Sequence, residues 1–352
     1  MSAAGFVQEL LTPADLAARP DVWWRGVLGV VGCAAPPPLG GQDLPTAVCG
    51  TPPLDGSQEL CEVWRAAEGG PPQESTRTAS SEAMRFRSAA GITFGAVRVD
   101  ERGMHRGGGA DEAEALREAT GTAYGMVFDA LERACHPWLV RVWHYLPDIN
   151  REVGGEERYR LFNSARRAAF ERRGLGADGS APAATAVGST RGGPLTIYFL
   201  AAAVRPIMIE NPRQISAYHY PPRYGRASPL FSRACLLPDS QAAHLFVSGT
   251  ASIVGHRTVH AGDAAAQAGV ALDNLSIIVE QAERLRAAQR QSVGALCLKV
   301  YLRRAADLDA VRSEIGRRGV AAGSVAYLRA DICRTDLLVE IEGYARLTRS
   351  TP

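Results

Sequence analysis

The chain contains runs in which apolar and polar residues alternate, and these are followed by residues with helical spacing. Residues 87–100 alternate with a period of two, which predicts a strand. Residues 111–134 carry apolar side chains three, four and five positions apart, which predicts an amphipathic helix with Asp111 as its N-cap. The same reasoning predicts a strand over 138–146, a helix over 156–174 and strands over 182–190 and 194–203. The predicted order is therefore strand, helix, strand, helix, strand, strand.

The same order recurs in the second half of the chain. The predicted elements are a strand over 243–255, a helix over 264–289, a strand over 295–303, a helix over 307–319 and strands over 324–332 and 336–345. Such a repeat indicates two related domains, which we place at 1–203 and 204–352. The last strands of the two units align without gaps and pair Tyr198 with Glu340, so that only the second copy carries a carboxylate there. Residues 34–72 are rich in proline and glycine and are predicted to be irregular.

The composition excludes several classes of protein. The 352 residues carry a formal charge of +2 and 46% are hydrophobic, which is ordinary for a globular protein and predicts neither a nucleic-acid nor a membrane partner. The seven cysteines contain no CxxC pair, which argues against a disulfide framework or a zinc module and favours a reducing cytoplasm. No run approaches about 20 apolar residues, and the first residues do not resemble a signal peptide, so we expect a cytoplasmic protein. The 39 basic residues include a single lysine, Lys299.

Four strings carry a resemblance to a known family. They are AYHYPPRYGRASPLFSRA at 217–234, FVSGTASIVGH at 246–256, RYRLFN at 158–163 and ADICRTDLLVEIEG at 330–343. They resemble the chorismatases, and the similarity spans nearly the whole chain beyond a variable N-terminus. The second half also resembles the YjgF/Rid-type imine deaminase domain, through SGTASI, LDN and VEIEGYA. It departs from the arginine, serine and cysteine that those deaminases carry before the last strand, which argues against a plain imine deaminase.

The resemblance implies a fold and a class of activity. The fold is α+β, with two YjgF/Rid-like (chorismate-mutase-like) domains in tandem, each a mixed sheet packed by helices on one face. The first domain is degenerate and has a variable N-terminal extension, whereas the second holds the catalytic glutamate. The activity is a conversion of chorismate that needs no cofactor. His256 and His260 have the HxxxH spacing of a metal pair, but nearby glycines favour a loop, so we expect no metal. We expect a monomer or a small homo-oligomer.

The chemistry of chorismate defines what such a site needs. Removal of its pyruvyl group requires a general acid at the methylene carbon of the enolpyruvyl ether and donors that hold two carboxylates. The resemblance assigns the acid to Glu340, which stands between Val339 and Ile341 on the last strand. Apolar neighbours would raise the pKa of a buried carboxyl there. Glu342 lies two residues further on, on the same face of the strand, and periodicity alone also allows either side chain to face solvent.

Six residues are candidate substrate ligands: Tyr220, Arg233, Tyr218, Tyr224, Asn163 and Arg166. The tyrosines share a loop that Pro221 and Pro222 make rigid, and the resemblance favours Tyr220 as a ligand of a substrate hydroxyl. Arg233, on an apolar run, is the first choice for a carboxylate clamp because its planar guanidinium matches a carboxylate. The two weaker candidates lie on the helix predicted over 156–174.

Gly249 and Cys333 bear on the product. One branch of the family aromatises the ring to 3-hydroxybenzoate, whereas another hydrolyses the ether to 3,4-dihydroxycyclohexa-1,5-dienoate, and both release pyruvate. The resemblance implies glycine and cysteine at these positions in the aromatising branch, where the hydrolytic branch tends to carry alanine. Glycine would make room for the ring or the pyruvyl group, and the thiol would bind an intermediate or relay a proton, unless Cys333 is simply a small buried hydrophobe. We therefore expect 3-hydroxybenzoate, the alternatives being the hydrolytic product and a non-catalytic or Rid-like metabolite-binding protein.

Overall fold

The computed structural model describes residues 5–54, 59–66, 73–79, 82–104, 112–175, 180–239, 242–286 and 293–348. Its strands are β1 (Phe6–Leu11), β2 (Val27–Gly32), β3 (Thr46–Val48), β4 (Cys61–Ala66), β5 (Gln73–Ala79), β6 (Glu82–Ala89), β7 (Ile92–Val99), β8 (Trp138–Pro147), β9 (Glu152–Val153), β10 (Glu156–Glu157), β11 (Ala183–Ser189), β12 (Leu195–Ala202), β13 (Ile207–Ile209), β14 (Ala234–Pro238), β15 (Ala242–Ala251), β16 (Ile253–Val254), β17 (Arg257–Thr258), β18 (Cys297–Leu302), β19 (Val325–Arg329) and β20 (Val339–Thr348). Its α-helices are α1 (Pro13–Ala17), α2 (Asp21–Trp24), α3 (Glu112–Ala134), α4 (Arg158–Glu171), α5 (Ala264–Arg286) and α6 (Leu308–Arg317).

The N-terminal residues form a four-stranded sheet in the order β1-β4-β2-β3. Both β3 and β4 lie within residues 34–72, so the prediction that this segment is irregular was wrong for these strands. In β4, Cys61, Val63 and Trp64 are at most 1% exposed. Burial of their apolar surface stabilises the strand and outweighs the turn-forming composition around it.

Two six-stranded mixed sheets of the same topology confirm the α+β class and the internal repeat. The first sheet has the order β11-β8-β12-β7-β6-β5, and the second has the order β19-β18-β20-β15-β14-β13. In each sheet the first pair is parallel and the other neighbours are antiparallel. Helices α3 and α4 pack on the first sheet, and α5 and α6 pack on the second. Equivalent strands thus occupy equivalent places, with Tyr198 on β12 and Glu340 on β20.

Two predicted elements differ from the structure for local backbone reasons. The strand predicted over 87–100 is part of a hairpin of β6 and β7, whose turn residues Ala90 and Gly91 have φ of 53° and 79°. Positive φ at both central residues suits a tight two-residue hairpin. The helix predicted over 156–174 begins two residues later, because its first two residues pair with β9 instead. The predicted cap Asp111 lies outside the described residues.

The three sheets meet in a shared core. Trp64 of β4 packs against Trp143 of β8 with ring centroids 6.0 Å apart, and against Tyr344 of β20 at 5.3 Å. Helices cover the other face of the two large sheets, so a strand such as β12 is buried along its whole length. This packing also brings β11 of the first half against β15 of the second. No helix in the described ranges is long and apolar enough to span a bilayer.

Candidate active site

Glu340 lies on β20, opposite Ala251 of β15 and Tyr301 of β18, and is 4% exposed. In the part of the chain that the structure describes, its one hydrogen-bond partner is the Cys333 thiol, with Sγ 3.9 Å from Oε2. Burial, together with the negative charge of Glu342, raises the pKa of Glu340 to about 8. The carboxyl therefore keeps its proton near neutral pH, which is the state that a general acid requires.

Glu342 lies two residues further along β20 in the opposite electrostatic environment. Its carboxylate accepts hydrogen bonds from Arg141 Nη2 at 2.8 Å, from Trp143 Nε1 at 2.9 Å and from the Thr185 hydroxyl. The Lys299 ammonium lies 2.7 Å away. Burial raises the pKa of Glu342, but Lys299 and Arg141 more than offset this effect and hold the pKa below its usual range. Glu342 is therefore an ionised, fully engaged side chain, whereas Glu340 is protonated and nearly free of partners.

Tyr198, the repeat equivalent of Glu340, belongs to the core that the three sheets share. The sole lysine, Lys299, donates to the Tyr198 hydroxyl at 2.7 Å, and this hydroxyl donates to Glu62 at 3.1 Å. Lys299 also pairs with Glu62 at 2.7 Å. The network joins the N-terminal sheet to both halves of the chain.

Gly249 lies where the pairing of β15 with β20 is interrupted. The register shifts between Val247 and Thr250, which leaves Gly249 in a bulge. A Cβ atom at Gly249 would overlap Oε1 of Glu340 and lie 2.9 Å from its Cδ. The carboxyl of Glu340 thus occupies the space that we expected the ring or pyruvyl group to fill, and this corrects the reason for a glycine at this position.

Cys333 lines the same pocket as Glu340. Burial, together with the neighbouring Glu340, raises the pKa of its thiol, although Arg334 opposes the effect. Cys333 is therefore a neutral thiol at neutral pH and a weak donor toward Glu340. Thiolate chemistry at this residue is disfavoured, because a thiolate forms readily only where the pKa is lowered.

The pocket brings Glu340, Gly249 and Cys333 together with Tyr220, Tyr224 and Arg233. Tyr220 is 7% exposed, and its hydroxyl accepts a hydrogen bond from Arg233 Nη2 at 2.9 Å. The same nitrogen donates to the Ile215 carbonyl at 2.8 Å. The Nε group of the buried Arg233 has no hydrogen-bond partner among the described residues. A cation and a phenol are thus held together at the pocket wall.

Arg334 and Tyr224 form the rim of the pocket. The Arg334 guanidinium lies 4.0 Å from the Tyr224 ring centroid and 5.3 Å from that of Tyr220, and it donates to the His256 carbonyl at 3.0 Å. The Tyr224 hydroxyl lies 3.3 Å from Nδ1 of His256. His256 therefore helps to build the rim. Within the described ranges, no group of three or more histidine, cysteine, aspartate or glutamate residues is arranged to hold a metal ion.

Tyr218, Asn163 and Arg166 do not line this pocket. Tyr218 packs against the helical core of the first half. Asn163 and Arg166 are 4% and 2% exposed on α4, where Arg166 lies 5.6 Å from the Phe170 ring centroid. Asn163 hydrogen-bonds to Tyr159, which does line the pocket. Asn163 therefore reaches the site through Tyr159.

The residues of the pocket and its network that were not among the sequence candidates include Tyr159, Arg160, Arg334, Arg141 and Thr185. The first three lie within RYRLFN and ADICRTD, two strings that carried the family resemblance, so a signal for them was present. The last two stand in strands of the first half, and no motif marks them. They reach the site only because the first half packs on the second.

Two α+β repeats that enclose a buried acid beside an arginine- and tyrosine-lined pocket define a class of acid–base site, and comparison with known proteins identifies its family. Residues 62–201 match the family model described as "Chorismatase FkbO/Hyg5-like, N-terminal". A 3-hydroxybenzoate synthase of Streptomyces hygroscopicus is 43% identical over 236 residues, which are 64% of this chain and 68% of the relative. A chorismatase of the same organism is 40% identical over 293 residues, 81% and 79% of the two chains. A crystal structure of a chorismatase matches with a TM-score of 0.80 at 33% identity, covering 98% of this chain and 99% of the other. The chain belongs to the chorismatase family of enzymes.

Proposed function

We propose that this enzyme converts chorismate to 3-hydroxybenzoate and pyruvate, with Glu340 as the general acid. The observation that carries the proposal is the buried Glu340 carboxyl, whose pKa of about 8 keeps it protonated beside a pocket of arginines and tyrosines. The relative named 3-hydroxybenzoate synthase, at 43% identity, supports the choice of product.

Glu340 donates its proton to the methylene carbon of the enolpyruvyl group. Positive charge then develops at the ether carbon, and the carboxylate that remains on Glu340 stabilises this charge in a buried site where water screens it little. The ring hydroxyl oxygen adds to this charged carbon, in the place that water takes in hydrolysis. Its bond to the ring then breaks as the hydrogen on the ring carbon that carries the ether is lost as a proton, so that the ring becomes aromatic. The adduct collapses to pyruvate and a phenolate that is reprotonated, and a released proton returns to Glu340. The two products together contain the atoms of chorismate, whereas the hydrolytic alternative consumes one water.

The two carboxylates of the substrate need cationic partners that fix the ring against the acid. Arg233 supplies one from the pocket wall, where Tyr220 orients its guanidinium. Arg334 supplies the other from the rim, where stacking on Tyr224 restricts its motion. Planar guanidinium groups suit this task because each matches a carboxylate with two parallel donors.

The choice between 3-hydroxybenzoate and the non-aromatic diol depends on the position of the Glu340 carboxyl. Gly249 leaves space for the Glu340 carboxyl, and an alanine there would push the carboxyl into the pocket. Cys333 holds its proton and donates toward Glu340 from the other side. We infer that a carboxyl held at this position beside Gly249 favours aromatisation over hydrolysis.

The test is incubation of the purified protein with chorismate, with pyruvate quantified and the organic acid identified by mass and ultraviolet spectrum. Equimolar pyruvate and 3-hydroxybenzoate are expected. Glu340→Gln should lower kcat about 10²- to 10⁴-fold, the usual contribution of a general acid, while substrate binding by calorimetry is retained. Glu157→Gln is the matched control, because this pocket carboxylate is engaged by Asn150 at 2.9 Å and should leave kcat within severalfold.

Each other outcome has a defined meaning. Pyruvate with a non-aromatic diol would assign the hydrolytic reaction and retain the acid. Ligand binding without pyruvate release would assign a metabolite-binding protein and remove Glu340 from the acid role. Equal loss of activity in both glutamine variants would show that the loss does not report on proton donation.

A further inference from the structure

Thr185 lies on β11 of the first half and reaches into the site of the second half. It is 2% exposed. Its hydroxyl accepts from the Gly249 amide at 2.9 Å and from Arg141 Nη2 at 2.5 Å, and it donates to the Glu342 carboxylate. A hydroxyl has one proton to donate and two lone pairs that accept. All three are used, so the position and direction of this hydroxyl are fixed.

The Gly249 amide needs this partner because of the bulge in β15. The register shift between Val247 and Thr250 leaves the intervening residues outside the ladder with β20. A buried amide without a hydrogen-bond partner is destabilising, so the bulge requires an acceptor from elsewhere. The neighbouring Ser248 is also held by hydrogen bonds. Its hydroxyl accepts from the Ala184 amide at 2.9 Å and donates to the Ser232 carbonyl at 2.6 Å.

The bulge in turn supports the acid. The carboxyl of Glu340 lies directly on Gly249, where a Cβ atom would overlap its Oε1. The methyl group of Thr185 also borders the space above Gly249. Its Cγ2 lies 3.1 Å from the position that a Cβ atom of residue 249 would take. A shift of the bulge therefore changes the position of the proton on Glu340, and it also opens the space around the carboxyl to water.

We propose that Thr185 is a positioning residue, whose hydroxyl fixes the Gly249 bulge and ties it to Glu342, so that the first half of the chain sets where Glu340 delivers its proton. This inference rests on the proposed function. It gives the first half, where Tyr198 stands at the position equivalent to Glu340, a defined part in the reaction.

The experiment compares Thr185→Val, which keeps the shape but removes the hydroxyl, with Thr185→Ser, which keeps the hydroxyl. T185V should lower kcat about 10- to 100-fold with KM within threefold, because displacement of a reacting group by about 1 Å costs this much. The alkaline limb of its pH–rate profile should move to lower pH, since water then reaches Glu340. T185S should retain most of kcat, and the alkaline limb of its pH–rate profile should coincide with that of the wild-type enzyme. A wild-type profile in T185V, or equal impairment in both variants, would overturn the proposal.

Two further measurements keep the proposal testable. If T185V does not fold, Ser248→Ala removes the hydroxyl that holds the neighbouring residue of the same bulge. S248A should then give the same loss of kcat at unchanged KM. A wild-type kcat in S248A would refute the positioning role. If the wild-type enzyme does not turn over chorismate, the proposed function fails by itself. The pKa of Glu340 can then be measured from how the stability change caused by Glu340→Gln depends on pH. We would make this measurement with and without T185V. The same pH dependence in both backgrounds would overturn the inference.

Discussion

Replacement of Glu340 by glutamine should change how the stability of the enzyme depends on pH. The pKa of Glu340 is about 8 in the folded protein, against an ordinary value of 4.5 for the unfolded chain. Between these two values the folded protein keeps a proton that the unfolded chain has released. The wild-type protein therefore loses stability as pH rises from 4.5 to 8, with no further loss from this group above that range.

The size of the effect follows from the shift of the pKa. A shift from 4.5 to 8 corresponds to about 5 kcal/mol of unfolding free energy at high pH, since each pKa unit is worth about 1.4 kcal/mol. The part that falls between pH 5 and pH 9 is about 4 kcal/mol. Glutamine has no proton to release, so E340Q should gain this amount relative to the wild-type protein over that interval.

Urea unfolding of the two proteins at pH 5, 7 and 9 measures this difference. Groups other than Glu340 titrate in both proteins, so the difference between their unfolding free energies isolates the one carboxyl. A difference that grows with pH in favour of E340Q is the expected result. A difference that stays constant across the interval would refute the reasoning, because it would show that Glu340 is already ionised in the folded protein at pH 5.

Four further results are expected. The kcat should fall tenfold per pH unit above about 8, as Glu340 loses its proton, and a flat profile would point to another acid. Gly249→Ala should lower kcat and raise the share of non-aromatic diol, measured by chromatography with ultraviolet detection. An unchanged product ratio would show that Gly249 does not determine which product forms. Arg334→Lys should raise KM about tenfold or more at similar kcat, since it keeps the charge and loses the planar fork; an unchanged KM would exclude Arg334 as a carboxylate ligand. Lys299→Met should lower the unfolding free energy by about 3–5 kcal/mol in urea, because Glu342 then lacks one buried charge partner, and a near-neutral effect would contradict this role.

The repeat and the order of its elements were predictable because they rest on local periodicity. The apolar run over 138–146 and the helical spacing over 111–134 are local patterns, and both elements are present in the structure. The N-terminal sheet was not predictable in the same way. Its strand β4 stands among glycines and prolines. The burial that stabilises it comes from the large sheets at Trp64 and from other N-terminal residues at Cys61 and Val63.

The candidate site was predictable in part. Tyr220, Arg233 and Glu340 lie in strings with a family resemblance, and the structure places all three on one pocket. Arg166, a weaker candidate outside those strings, does not line the pocket, because it is buried on the face of α4 that packs on the core.

The sequence by itself determined the repeat, the α+β class, the family and the strand on which both Glu340 and Glu342 stand. Periodicity left these two carboxyls equivalent, because residues two apart on a strand share one face, and the choice of Glu340 came from the family resemblance. The physical difference between their environments comes from the tertiary structure. The charges that ionise Glu342 come from Arg141 and Lys299, which lie far away in the chain, while the space beside Gly249 gives Glu340 a buried position with one weak partner. The charge state of a buried carboxyl depends on neighbours that only packing assembles, and no local pattern in the sequence encodes it.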